Sequence, residues 1–312
     1  MRYAKSLAAA WTTAALLSIV ACSHHPVAPA RFPLAESTRA NARSAMHGEA
    51  MAHAKYLAYA AQAQQAGRGQ AAQQFASAAH TELSDHFARE ADLIGLGGDI
   101  AANLRDAISG EANEATTMYR GFAKQANADH DIAATALFTD LGDDEATHAK
   151  DFTTALTAVT GPAGAATVPA GAHLAVVAIT AGQAQSSGTT LANLRTAMQG
   201  EAFAYAKHMR YADQARRDGN PAVAQLFTNT ANIELNSHFA GLASWVGLVA
   251  TDTNTNLTDA INGEQHEADI MYPDYARQAE QAGNAQAANL FREIAGDEKT
   301  HQHAFQGALT AS

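Results

Sequence analysis

The sequence predicts an all-α protein built as two tandem ferritin-like four-helix bundles, each made of two helical hairpins, and three observations carry that expectation. The first is composition. Hydrophobic residues make up 47% of the 312 positions, most of them alanine, with only 7 prolines and 7% aromatics. Alanine-rich sequence without Val/Ile-rich alternating runs favours long helices over strands. The second is a duplication: Glu49, Phe75, Glu82 and His86 recur as Glu201, Phe227, Glu234 and His238, each 152 positions later. After a one-residue insertion, Glu111, Glu114, Tyr119, Glu145 and His148 recur as Glu264, Glu267, Tyr272, Glu298 and His301, 153 positions later. The third is that each half is itself doubled. The pattern Asn-x-x-x-Ala-(Met/Ile)-x-Gly-Glu starts at Asn41, Asn103, Asn193 and Asn256.

In chain order, residues 1–22 read as a bacterial lipoprotein signal. Arg2 and Lys5 form a short positive region, an apolar stretch follows that is too short for a comfortable span, and the segment ends Ile19-Val20-Ala21-Cys22. The expected lipidation site is Cys22. Ser23 in the next position fits sorting to the periplasmic face of the outer membrane, by resemblance to such signals. Residues 23–37 form a Pro/Ala tether.

Residues 38–160 are the first bundle and 189–311 the second, with a Gly/Ala/Pro/Ser-rich linker at 161–188. Each copy of the Gly-Glu pattern leads into a helical stretch, a short break and a second helical stretch. The breaks are Gly67-Arg68-Gly69, residues 127–131, Gly219-Asn220-Pro221 and Gly283-Asn284. The unit is therefore a helical hairpin.

Composition also excludes functions. The chain carries 31 acidic against 20 basic side chains, net −11, with no basic face for nucleic acid. One cysteine allows neither an intramolecular disulfide nor a cysteine cage for zinc or an iron–sulfur cluster. There is no Gly-rich phosphate loop and no Ser/His/Asp arrangement.

The chemistry lies in the acids. Spacings of three and four residues put Glu82 with His86, Glu111 with Glu114 and Glu145 with His148 on single helix faces, whose neighbours are apolar or small. With Glu49 these make five carboxylates, which buried together each lose several kcal/mol of hydration and repel one another. Two divalent cations resolve this. Glutamate and histidine without cysteine suit iron, with manganese the second metal such ligands accept, and Glu-x-x-His on facing helices is a recurring way to hold a metal pair. The same holds for Glu201, Glu234, His238, Glu264, Glu267, Glu298 and His301.

The stretch 263–273, Gly-Glu-Gln-His-Glu-Ala-Asp-Ile-Met-Tyr-Pro, followed by the alanine-rich run to Phe291 and Asp297-Glu298-Lys299-Thr300-His301, resembles the second half of rubrerythrin. Gly200-Glu201 and the stretch 227–234 resemble its first half, and the first repeat matches in the same way. The resemblance covers roughly 38–160 and 189–311. It implies a non-haem di-iron centre in each bundle that reduces hydrogen peroxide, with Glu49, Glu82, Glu111, Glu114, Glu145 and His148 as ligands in one and Glu201, Glu234, Glu264, Glu267, Glu298 and His301 in the other. Tyr56, Tyr119 and Tyr272 lie near the acid rows, where they either hydrogen-bond a ligand carboxylate or pack in the core; Tyr205 also lies near them.

The family's Glu-x-x-His is absent from the second helix of each repeat: Asp85 and Ser237 take the histidine positions, and His86 and His238 come one residue later. Either a regular helix brings these imidazoles within ~40° of the glutamate, or a one-residue π-bulge restores the family geometry, or they stand outside the ligand set. His53, His80 and His303 have no counterpart in the other repeat and are expected on the surface or on a helix face. A ferritin-like bundle also needs a connection from its second to its third helix that runs the length of the bundle, ~30 Å, which the residues between about Ile94 and Asn103 just reach when extended; an up-down-up-down bundle is the alternative. A rubredoxin-like domain would need four cysteines, so the expected partners are a separate electron donor, peroxide or oxygen, the membrane through the lipid anchor alone, and a second copy of the chain in a homodimer. Two other functions fit the same residues: a ferroxidase that handles iron, and a lipoprotein scaffold whose metals serve structure only.

Overall fold

The computed structural model describes residues 33–172 and 176–311; the signal with Cys22 and most of the tether lie outside them. Among the described residues the chain forms eight helices. They are α1 (Glu36–Gln65), α2 (residues 69–94), α3 (100–128), α4 (Ile132–Thr160), α5 (Gly188–Arg217), α6 (221–246), α7 (253–281) and α8 (Ala285–Thr310). None is long and apolar enough to cross a membrane.

Local chemistry sets the ends. Asp99 accepts from the Ala102 amide at 2.8 Å and Asp131 from the Ala134 amide at 3.0 Å, starting α3 and α4. Asn220 caps α6 with Pro221 in its first turn. Gly95 and Gly247, at φ 70° and 64°, stop α2 and α6 in the left-handed conformation that glycine adopts without a Cβ penalty.

The helices form two four-helix bundles of two hairpins each, as expected, but the hairpins pair differently from their order in sequence. The first hairpin, α1–α2, packs on the last, α7–α8. Asn41 donates to Gln278 at 3.1 Å, the Ala35 amide to Asn284 Oδ1 at 2.9 Å, and the Tyr59 hydroxyl to Asp259 at 2.9 Å. The second hairpin, α3–α4, packs on the third, α5–α6. The Tyr211 hydroxyl donates to Asp106 at 2.9 Å and the Thr190 hydroxyl to Asp129 at 2.8 Å. The boundaries 38–160 and 189–311 are thus repeats in sequence but not packing units. Each bundle takes one hairpin from each repeat.

Chain length explains the exchange. Between Ile94 and Ile100 only residues 95–99 are free of helix, a reach of ~20 Å at most and too short for a bundle-length crossover. The α3–α4 hairpin therefore enters the neighbouring bundle. There α4 and α5 run parallel, and residues 161–187 supply the crossover. That segment is held by the Gly182 amide on the Val249 carbonyl (2.9 Å), the Gln185 amide on the Trp245 carbonyl (2.8 Å) and the Val177 amide on the Asn236 carbonyl (2.8 Å). Ile179 packs against the cores of both bundles.

In each bundle the acid row lies between two apolar clusters. On one side of the first row are Tyr56, Phe75, Leu257 and Phe305; on the other are Ala42, Ala45, Phe291 and Ile294. The bundles meet where α1 lies along α5. His47 stacks on Phe203 with ring centroids 3.8 Å apart, and His53 on Tyr205 at 5.4 Å. Tyr205 is thus part of the contact between bundles, not of an acid row. His53, expected on the surface or on a helix face, is buried within α1, with Nδ1 2.6 Å from the Ala79 carbonyl; His80 and His303 are exposed.

A fragment of residues 33–160 holds two hairpins that cannot close on each other through the 95–99 link. Sedimentation should find it as a dimer that exchanges hairpins between copies; a stable monomeric bundle would contradict this connectivity.

Candidate metal centres

Each of the four helices that carry a predicted site on α2, α3, α6 or α7 contains a π turn: Glu82–Phe87, Glu114–Met118, Glu234–Phe239 and Glu267–Met271. A π turn takes an extra residue per turn, so Glu82 and His86, four apart, return nearly into line. His86 and His238 are fully buried and face the acids. The π-bulge reading of these two positions is the one the geometry follows.

The first cluster combines α1, α2, α7 and α8. His86 Nδ1 lies 2.8 Å from Glu82, 3.0 Å from Glu298 and 3.5 Å from Glu49. His301 Nδ1 lies 3.0 Å from the other oxygens of both Glu82 and Glu298 and 3.6 Å from Glu264. The second cluster combines α3 to α6 and repeats the arrangement. His148 Nδ1 is 2.8 Å from Glu145, 3.1 Å from Glu234 and 3.5 Å from Glu111. His238 Nδ1 is 2.9 Å from Glu234, 3.0 Å from Glu145 and 3.6 Å from Glu201. The ligand sets expected within each repeat are corrected accordingly: Glu49, Glu82 and His86 meet Glu264, Glu298 and His301, and Glu111, Glu145 and His148 meet Glu201, Glu234 and His238.

Each cluster resolves into two groups of four donors whose atoms lie within 4.8 Å of one another, and the groups share two glutamates. Glu82 and Glu298 are shared in the first cluster, Glu145 and Glu234 in the second. Three carboxylates crowding one imidazole nitrogen cannot all be satisfied by a single N–H. Both oxygens of Glu82 and of Glu234, Nδ1 of His86 and of His238, and one oxygen each of Glu111, Glu145, Glu201, Glu264 and Glu298 are buried without a hydrogen-bond partner. Orphaned carboxylate and imidazole atoms around one point fit a cation. The shared glutamates suit two cations side by side.

The predicted ligands Glu114 and Glu267 stand outside these groups. Both are half-buried. Glu267 faces Gly48, where a Cβ would sit 3.6 Å from its carboxylate, and Glu114 faces Gly200 at 3.8 Å. Glu267 helps line a cavity of about 340 Å³ with Gly48, Lys55, Tyr56 and Gly263.

Hydrogen bonds from outside aim the acids. The Tyr272 hydroxyl donates to Glu49, Tyr119 to Glu201 and Tyr56 to Glu264. The position of Tyr56 is taken in the other bundle by His208, whose Nε2 lies 3.2 Å from Glu111. The far nitrogens of His86 and His238 lie 3.5 and 3.3 Å from Asp297 and Asp144. An aspartate there fixes the ring and leaves Nδ1 to the centre.

Sequence reasoning missed Asp144, Asp297, His208 and Glu90. Each aspartate directly precedes a cluster glutamate and recurs 153 positions on, a signal present in the repeat. Glu90, fully buried, continues the step of four from Glu82 through His86. The other repeat has Leu242 there.

Burial pushes Glu49 and Glu201 up to about 7, even against their histidine partners. Burial also opposes a charge on His301, but Glu264, Glu298 and Glu82 outweigh it and raise the imidazole to about 12. His86, His148 and His238 are raised for the same reason. Glu82 and Glu234 resist burial through two histidines each and are held below the usual carboxylate range.

The raised groups mean that, without metal, the folded chain binds more protons than the unfolded chain from about pH 5 to about pH 8. Excess protons on the folded side make stability fall as pH rises through this window, while the lowered carboxylates act only below their unfolded values. Metal-free protein should therefore melt several degrees lower at about pH 8 than at about pH 5.5, and divalent metal, which displaces those protons, should reverse the trend. A melting curve flat with pH and indifferent to metal would refute this charge balance.

The Rubrerythrin family model matches residues 41–156 and again 192–309. Nigerythrin of Nitratidesulfovibrio vulgaris is 32% identical over 133 residues, 39% of this chain and 66% of the relative. Rubrerythrin of the same organism is 32% identical over 124 residues, 36% of this chain and 65% of the relative. Rubrerythrin-2 of Clostridium acetobutylicum is 32% identical over 127 residues, 37% of this chain and 69% of the relative. The chain thus spans slightly less than two thirds of the length of the first two.

Proposed function

Because this chain belongs to the rubrerythrin family, we propose that each bundle holds a pair of iron ions and reduces hydrogen peroxide to water. The observation that supports this most directly is the pair of shared glutamates between two imidazoles in each cluster. In the first bundle Glu49 and His86 would hold one ion, Glu264 and His301 the other, and Glu82 and Glu298 would bridge them. In the second, Glu201 with His238 and Glu111 with His148 would do the same around Glu145 and Glu234. When bound, a ferrous pair supplies one electron per ion, the two that splitting an O–O bond requires.

The protein's own groups do the rest. Asp297 and Asp144 keep the Nδ1 lone pairs of His86 and His238 turned inward. Tyr56, Tyr119 and Tyr272, their hydroxyls held protonated by burial and the adjacent carboxylates, steady one oxygen of each glutamate they touch. The apolar clusters on both sides exclude bulk water. The cavity beside Glu267 admits a molecule as small as peroxide. The electrons are restored by a separate donor, since a single cysteine provides no built-in iron–sulfur or rubredoxin-type site.

Anaerobic loading with ferrous iron followed by one equivalent of peroxide per pair should oxidise the iron rapidly, and a reductant should restore the cycle. Glu82→Ala should cost the first bundle its share of bound iron. Consumption of excess ferrous iron with accumulation of ferric product would instead identify an iron-handling ferroxidase. Tight binding of redox-silent metal, with no oxidation by peroxide, would identify a structural lipoprotein.

We also propose that Cys22 is lipidated and tethers the bundles to the cell envelope, on the strength of the sequence ending at that residue. Metabolic labelling with a fatty-acid probe should mark the full chain in its host and leave Cys22→Ala unmarked; labelling of both would refute the assignment.

A further inference from the structure

The two bundles differ at one buried position in a way that bears on protons. Tyr272 has one hydroxyl hydrogen, yet its oxygen makes hydrogen-bonding contacts with two carboxylates, Glu49 Oε1 and, at 3.0 Å, Glu90 Oε1. One hydrogen serves one of them, so the other contact needs a proton carried by a carboxyl group. Glu49 is the one that turns its second oxygen toward the cluster, 3.5 Å from His86 Nδ1. Glu90 is fully buried, and its Oε2 has no hydrogen-bond partner. The charged and titratable groups around it are Glu49 on α1, His86 on its own helix, and Tyr272 and Glu267 on α7. Two of these are carboxylates, Tyr272 is a neutral hydroxyl, and His86 is already claimed by three carboxylates. An ionised Glu90 would add one more uncompensated charge to an already acidic interior.

The second bundle lacks this arrangement. Tyr119, the counterpart of Tyr272, donates to Glu201. The place of Glu90 is taken by Leu242, also fully buried.

We propose that Glu90 is a neutral carboxylic acid which, through Tyr272, relays protons to Glu49 and hence to the centre of the first bundle, so that the two centres of one chain are chemically unequal. This rests on the peroxide-reducing reading. Splitting one peroxide into two waters consumes two electrons, one from each of two ferrous ions, and two protons. Glu90 donates to Tyr272 as Tyr272 donates toward Glu49, and Glu90 regains its proton from solvent. In this role Glu90 is a positioning and proton-holding residue. It is not a ligand: it stands outside every group of donors in its bundle.

The test uses the full chain and two variants, Glu90→Leu, which installs the residue that the second bundle tolerates at this place, and Glu90→Gln, which keeps the shape. With zinc filling the sites, the infrared difference between the wild type and each variant should contain the C=O stretch of a buried, protonated carboxylic acid. Bound zinc per chain should be unchanged. Absence of that band, or loss of metal in Glu90→Leu, would overturn the proposal, the second outcome by making Glu90 a ligand. With ferrous iron, peroxide should oxidise the wild type in two phases, and Glu90→Leu should slow the faster one about tenfold, toward the rate of the other bundle. Unchanged phases would overturn the relay. If peroxide oxidised nothing even in the wild type, the peroxidase reading would fail, and the infrared band would still decide the state of Glu90.

Discussion

Twelve carboxylate and imidazole side chains, six in each bundle and all but the half-buried His301 fully buried, crowd together where neither water nor ordinary hydrogen bonds can satisfy them all. Every other feature of the fold answers to that. Each buried carboxylate forfeits hydration worth several kcal/mol, and no imidazole proton can serve three of them at once. What settles such an assembly is positive charge at its centre. The alanine-rich helices approach closely enough to bring donors from four helices to one point, and aromatic layers on both sides keep water from relieving the strain by solvation. The π turns spend regular helix geometry to bring Glu82 in line with His86 and Glu234 with His238, a local cost placed at the sites themselves.

The exchange of hairpins gives the chain a property that two independent domains would lack. Neither repeat completes a centre alone, so each site depends on residues more than 200 positions apart in the first bundle, such as Glu49 and Glu298. The second bundle is assembled from contiguous sequence and the first from the two ends of the chain. Folding of the first bundle must therefore wait for the last hairpin, which makes its contacts the most non-local in the molecule. Contacts such as His47 on Phe203 then join the two bundles along α1 and α5.

Much of this was legible in the sequence. The four Gly-Glu patterns and the offsets of 152 and 153 announce hairpins and their duplication, and all the acids and imidazoles found in the clusters stand in those repeated positions. The pairing of hairpins was not legible from pattern, because a first-type hairpin matches either second-type hairpin equally well. What decides it is a length, five residues at 95–99 against 27 at 161–187, and the ends of those helices emerge only with their glycine and aspartate caps. Glu114 and Glu267 share the helix face of the cluster acids, yet the π turns that begin at these residues leave them at the rim. Glu90 and His208 escaped because they break the repeat, and a reading built on what recurs passes over what differs. In this chain the departures mark where the two centres part ways.

The central claim, that paired cations neutralise each cluster, is tested most directly by a crystal structure of the iron-loaded protein with anomalous scattering measured at the iron edge. Two peaks per bundle are expected, one between Glu49 and His86 and one between Glu264 and His301 in the first, each also touching Glu82 and Glu298, with the matching pair in the second. Clusters that stay empty at saturating iron, their carboxylates protonated and bonded to one another, would contradict it.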